Sequence, residues 1–128
     1  PKGGKINFAE PEGEIRRLIG EKNIVEFVYD PYMLEDMASR FKNEMLCHCY
    51  AFNQGAERLV ADKGLHDAIQ ARRVLHSGEP ALRDHIQNAN AKTEGEDKMR
   101  IVKRDETSKV DLAVCLSMGR ARVKYWRL

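Results

Sequence analysis

Residues 103–118 constrain this chain more than any other stretch. A basic, polar run, Lys103-Arg104-Asp105-Glu106-Thr107-Ser108-Lys109, feeds directly into Val110-Asp111-Leu112-Ala113-Val114-Cys115-Leu116-Ser117-Met118, which is nearly all apolar. The apolar part has no clean polar face, so as a helix it is expected to be buried on most sides. Its one acid, Asp111, sits at the junction. A carboxylate at the mouth of such a helix is costly to desolvate unless something pairs with it. The helix backbone is one such partner: Ser108 and Asp111 stand in the S-x-x-D spacing of a capping box, with Asp111 at the third helical position. A metal ion is the other. Spacing alone leaves both readings open.

At 128 residues the chain fits one domain with a modest core, residues 1–9 forming a loose N-terminal segment. Hydrophobic residues at 42% and charged residues at 33% fit a soluble globular protein. The net charge of +2 does not by itself announce nucleic acid. Its distribution says more: Arg120, Arg122, Lys124 and Arg127 close the chain with no acid among them. They read as a phosphate-facing patch or as a solvated helix end whose cations suit the dipole. Three cysteines (Cys47, Cys49 and Cys115) are an odd, sparse set, which points to a reducing compartment rather than a disulfide framework. Cys47-His48-Cys49 lacks a second Cys/His pair at zinc spacing, and in a strand His48 points away from both thiols, so these are expected to be small buried residues. No apolar run approaches membrane-spanning length, and no signal peptide is expected. The chain starts at Pro1, as a processed or excised piece of something longer would.

Periodicity places alternating helices and strands along the chain. Ile6 and Phe8 can form a short strand. Residues 12–22 read as a helix with Ile15, Leu18 and Ile19 inward. Residues 24–29 form the best strand, β-branched and aromatic with only Glu26 charged. Asp30 then caps a helix that Pro31 begins, carrying Leu34, Met37, Ala38 and Phe41 inward through about Glu44. Met33, Met37 and Met45 are expected in the core. Residues 46–52 read as a second strand and Asn53-Gln54-Gly55 as a turn. Residues 56–73 are mostly helical, either continuous or broken at Gly64, with Leu59, Leu65, Ala68 and Ile69 inward. Val74-Leu75-His76 is a short extended piece. Pro80 begins another helix, residues 92–98 are a hairpin tip or mobile loop, and residues 99–102 are a strand on its far side. The last helix runs from about Lys109 toward Tyr125. Such alternation predicts an α/β fold with parallel strands.

Two acids stand out by position. Asp30 ends the most hydrophobic strand and Asp111 begins the most hydrophobic helix. In open α/β sheets ligands collect beyond the carboxyl ends of strands, where Asp30 falls. If the start of the last helix packs beside it, two carboxylates converge as hard oxygen ligands suited to Mg²⁺ or Mn²⁺. Such a pair serves phosphodiester chemistry, where two ions steady the attacking and leaving oxygens. Each acid alone is also a good cap. There is no G-x-x-x-x-G-K-[ST], H-E-x-x-H or G-x-S-x-G, and so no ATP site, zincin site or hydrolase elbow. His66, His76 and His85 are scattered and read as surface or packed side chains. His76, ahead of Ser77-Gly78, is the one placed to reach a phosphate. Lys103, Arg104 and Lys109, in the basic run, are candidate DNA contacts.

Three ordered motifs add a resemblance. Val28-Tyr29-Asp30-Pro31-Tyr32 resembles the strand-end Y-D-P-Y of the large terminase subunits of tailed bacteriophages. The run from Arg73 through His76, Gly78, Pro80, Leu82-Arg83, His85-Ile86 and Asn88-Ala89 is similar to their H-x-G-x-P-x-L-R-x-H-I-x-N-A segment. Arg100-Ile101-Val102-Lys103-Arg104, followed by residues 109–118, resembles their R-I-V-K-R … K-I-D-L-A-V-A-L-S-M. The likeness spans residues 24–120.

The resemblance implies a ribonuclease-H-like nuclease fold, the C-terminal half of a DNA-packaging motor. It implies cleavage of double-stranded DNA by a two-metal site using Mg²⁺ or Mn²⁺. Three acids hold the ions in that family; the middle one matches Asp30 and the last matches Asp111. Lys103 falls where a basic residue lies near the active centre. The implied partners are the upstream ATPase domain, the small terminase subunit and the portal, in the host cell cytoplasm and away from any membrane. The sequence departs from the family by lacking the ATPase half and the first central strand with its acid, which Asp36, Asp62 and Asp105 do not replace by motif. The fragment is therefore expected to be inactive alone, and to self-associate along the exposed edge of residues 24–29 or to recruit residues 5–8 there. Two other readings stay open: a non-catalytic module binding DNA or a partner, and another ribonuclease-H-like nuclease such as a resolvase.

Overall fold

The computed structural model describes residue 4 and residues 6–128. The order of elements is α1 (Ala9–Glu21), β1 (Glu26–Tyr29), α2 (Pro31–Asn43), β2 (His48–Ala51), α3 (Ala56–Gln70), α4 (Pro80–Gln87), β3 (Ala89–Thr93), β4 (Met99–Lys103) and α5 (Asp111–Trp126). Two compact units divide the chain, Pro1–Ala51 and Phe52–Leu128. No helix among the described residues is long and apolar enough to cross a membrane.

In the first unit β1 and β2 pair in parallel, Glu26 opposite His48 and Tyr29 opposite Ala51. The β-α-β pattern read from the sequence is therefore present, with α2 as the crossover. Tyr29, Met37, Ala38 and Phe41 form its buried core. The Phe27 ring stacks on Tyr29 at 5.5 Å and meets Phe41 edge-on at 5.3 Å. The start of α2 is less regular than Pro31 suggested. Asp30 accepts the Tyr32 amide at 2.9 Å, as expected of a cap. Tyr32 and Met33 then leave helical geometry, with Met33 at φ 65°. An extended residue followed by a positive-φ residue is a type II turn, so the helix proper starts one turn late. Met33 and Met45, expected in the core, are instead exposed, and Met45 also has a positive φ, 53°. Met37 alone of the three is buried.

The N-terminal strand does not form among the described residues. Ile6 and Asn7 lie outside any strand, and the Phe8 carbonyl accepts the Glu12 amide at 3.0 Å as α1 begins. Lys5 lies outside the described residues. Phe8 thus belongs to the start of α1. Two thiols differ from expectation: Cys47 and Cys49 are half-buried, while Cys115 is exposed, and the three cysteines are free.

In the second unit β3 and β4 form an antiparallel hairpin, Ala89 opposite Lys103 and Thr93 opposite Met99. The polar tip was legible, but β3 was not, because four of its five residues are exposed and nothing in Ala-Asn-Ala-Lys-Thr favours a strand. Gly95, at φ 127°, supplies the left-handed residue of the loop. Helix α3 runs unbroken through Gly64. A side chain there would sit 2.9 Å from the Arg120 guanidinium, so the glycine makes room for Arg120 rather than ending the helix. Ile69, expected inward, is exposed, and the buried line of α3 is Arg58, Ala61, Asp62, Leu65 and Ala68. Helix α5 buries only Ala113, Ser117 and Met118, with Val110 just before it. Leu112 and Cys115 face outward, so the expectation of burial on most sides fails for the described residues.

Glu12 anchors α1 to α2 through ion pairs. Arg40 donates to it at 2.6 and 3.1 Å, and Arg16 at 3.0 and 3.2 Å. The Arg40 hydrogen bond, with that of Arg16 behind it and burial opposing both, holds the Glu12 carboxyl at about 2 against an ordinary 4.5. Because the folded-state value is depressed, this contribution to stability is present in full above pH 4.5 and is lost as pH falls toward 2. Carbon-detected titration of the Glu12 carboxyl should give a midpoint of about 2, and an ordinary midpoint would show that the pairs do not form in solution.

Candidate functional site

Each acid picked out by the sequence is held differently. Asp30 follows the carboxyl end of β1 and is half-buried. One of its oxygens serves the turn at Tyr32, which leaves the other lone pairs for a further partner. Asp111 is the first residue of α5 and is exposed. Among the described residues its carboxylate accepts no hydrogen bond and pairs with no cation.

The capping box at Ser108 does not form. The residue before the helix is Val110, whose side chain cannot cap, and Asp111 stands at the first helical position rather than the third. Ser108 is instead tied into a turn: Asp105 accepts the Thr107 and Ser108 amides, each at 2.9 Å, and the Thr107 hydroxyl at 2.7 Å. The Thr107 and Ser108 hydrogen bonds hold the Asp105 carboxyl below its ordinary value. The cap of α5 comes from another element. The Leu112 amide donates to Nδ1 of His85, on α4, at 2.9 Å.

The basic candidates divide. Lys103 ends β4 and is exposed. Arg104 donates its guanidinium to the Gln87 carbonyl, a cation on the negative end of α4. Lys109 is exposed, and its carbonyl accepts the Asn88 side-chain amide at 3.3 Å. The last turn of α4 thus gathers Arg104, Lys109 and Leu112. His76 is not part of that group: its Nδ1 accepts the Gly78 amide at 3.0 Å, and its side chain lines a cavity with Val74, Leu82, Ile86 and Leu116.

A buried network that the sequence reading passed over fixes these elements. Asp62 is fully buried and accepts from the Arg58 Nε at 2.8 and 2.9 Å, the Ser117 hydroxyl at 2.5 Å and the Ile101 amide at 2.8 Å. Arg58 also donates to Gln54 at 2.8 Å, and the Arg100 guanidinium reaches the Gln54 carbonyl at 3.2 Å. One carboxylate therefore joins α3, β4 and α5. The signal was present: Arg58 and Asp62 are four apart, on the same line as Leu65 and Ala68.

The donor chemistry of Asp30 and Asp111 suits a hard divalent ion, since both offer carboxylate oxygen not fully used by the protein. No cluster of three or more His, Cys, Asp or Glu side chains able to hold a metal occurs among the described residues. Asp62, saturated by four donor contacts, is structural.

The sequence profile of the terminase large subunit, endonuclease domain, matches residues 2–124. The chain belongs to that family. Among solved structures it is similar to the crystal structure of the large terminase of bacteriophage HK97, with a TM-score of 0.74 at 19% identity, over 91% of this chain and 25% of that one. The chain thus spans about a quarter of the length of that terminase. No curated protein sequence matches. The fold is the mixed α/β, ribonuclease-H-like fold of terminase nuclease domains, with short sheets and few strands.

Substitutions should separate the two kinds of acid. Asp62→Ala leaves the Arg58 charge buried and unpaired and should destabilise the fold by roughly 3–5 kcal/mol. Asp111→Asn should leave the melting temperature nearly unchanged. Thermal melts of both variants check this, and a large loss in Asp111→Asn would make that acid structural.

Proposed function

We propose that the chain is the C-terminal part of a packaging-terminase nuclease domain that hydrolyses phosphodiester bonds of double-stranded DNA with Mg²⁺ or Mn²⁺, and that Asp30 and Asp111 are ion ligands in the complete domain. Family membership supports the nuclease class. The observation that carries the residue assignment is the unengaged carboxylate of Asp111. Among the described residues it has no hydrogen-bond donor and no ion pair, and it is exposed, while His85 does the capping that a structural Asp111 would do. The motif resemblance then supports a common role for both acids.

When bound, divalent ions supply charge to the attacking and leaving oxygens. The chain's own share is to present carboxylate oxygen at the end of β1 and at the first turn of α5. Lys103 and Lys109, both exposed, are placed to meet phosphate, whereas Arg104 is already committed to α4. The wider assignments follow the same reading: an upstream ATPase domain, a small terminase subunit and a portal as partners, in the host cell cytoplasm. Each strand of the two-stranded β1–β2 sheet keeps one edge without a strand partner among the described residues, and self-association along β1 is part of the proposal. The non-catalytic alternative is favoured at one residue: Asp30 does cap Tyr32.

The 128-residue chain should bind Mn²⁺ in a calorimetric titration, and Asp30→Asn and Asp111→Asn should each weaken that binding. It should not cleave linear duplex DNA by itself, because a two-metal reaction needs both ions in place. In a complete terminase either substitution should abolish cleavage. Unchanged Mn²⁺ binding in both variants would leave the acids as caps and favour the non-catalytic module.

A further inference from the structure

We infer that His85 and Asn88 are positioning residues for Asp111. The inference rests on the reading of Asp111 as an ion ligand. A helix start leaves its first amides without partners, and a side-chain oxygen just before the helix ordinarily takes the second or third of them. Val110 offers no such oxygen. The His85 Nδ1 accepts the amide of the second helical residue, Leu112, at 2.9 Å. An acceptor at Nδ1 means a neutral imidazole carrying its proton on Nε2.

Asn88 closes the other side. Its side-chain amide donates to the Lys109 carbonyl at 3.3 Å, and its own carbonyl accepts the Arg104 amide at 2.9 Å. His85 and Asn88 are three residues apart, so they share one face of α4. Their contacts fall at Lys109 and Leu112, one on each side of Asp111. The backbone of Asp111 is bracketed while its carboxylate stays unengaged. A conventional cap at Asp111 would fix the helix but would consume a carboxylate oxygen. Capping from α4 fixes it without doing so. Metal sites depend in this way on the groups that orient their ligands, and losing one such group typically costs 10–100-fold in affinity.

The experiment uses the 128-residue chain and Mn²⁺ alone. Calorimetry gives Mn²⁺ affinity, amide hydrogen exchange reports Leu112, and melting reports the whole fold. His85→Ala should speed exchange at Leu112 and weaken Mn²⁺ roughly tenfold, with exchange at Ser117 and Met118 unchanged. His85→Asn, whose side-chain oxygen replaces Nδ1, should restore both, a rescue that mere loss of packing would not show. Asn88→Ala should weaken Mn²⁺ in the same direction, and it decides the matter if His85→Ala does not fold. Native Mn²⁺ affinity in His85→Ala, or in Asn88→Ala where His85→Ala does not fold, overturns the positioning role if Asp111→Asn still loses affinity. If Asp111→Asn keeps native affinity, or the parent chain binds no Mn²⁺, the ligand reading itself fails and the positioning role fails with it.

Discussion

The second unit depends on a single buried carboxylate. Asp62 has no exposure to water, and such a group is tolerated only when every lone pair is occupied. Arg58 neutralises it from one helical turn earlier. The Ile101 amide, an outer-edge group of β4, and the Ser117 hydroxyl of α5 complete the set. No buried side-chain nitrogen or oxygen among the described residues lacks a partner. The pairing selects a geometry as much as it stabilises one, because sliding α5 or the hairpin would strand a buried charge.

That selection reaches the proposed site through α5. Ser117 is fixed by Asp62, and Leu112 is fixed by His85. At 1.5 Å per residue these anchors lie ~7.5 Å apart along the axis. Two points set both the position and the rotation of the helix, and so the direction in which Asp111 leaves it. The acid that holds the fold and the acid that is free of it are on different elements, which leaves Asp111 solvated and accessible without weakening the core.

Much of this was legible in the sequence, and the parts that were not have physical causes. The β-branched and aromatic run before Asp30, the cap at Asp30-Pro31, the helix start at Pro80 and the hairpin tip around Gly95 follow local rules and appear in the structure. The class of protein rested on three motifs in order, and the family match agrees with it. Long-range partners were not legible. Ser108 and Asp111 have capping-box spacing, yet the cap of α5 is His85, 27 residues away in sequence. The spacing of Arg58 and Asp62 on the inward line of α3 was legible, but the partners Ser117 and Ile101 that complete the network were not. Met33 and Met45 fit an apolar stripe, but both occupy positive-φ turns that direct them outward. The apolar run of α5 implied burial all round, whereas Leu112 and Cys115 face outward among the described residues.

On the proposed function Asp111 is free to bind a divalent ion, whereas Asp62 and Asp105 are held by the fold. Paramagnetic broadening by substoichiometric Mn²⁺ tests it residue by residue in the 128-residue chain. The strongest broadening should fall at Asp111 and at Asp30, with the amides around Asp62 and Asp105 far less affected. Broadening centred instead on the acids of the hairpin loop, Glu94, Glu96 and Asp97, with Asp111 unaffected, would contradict it.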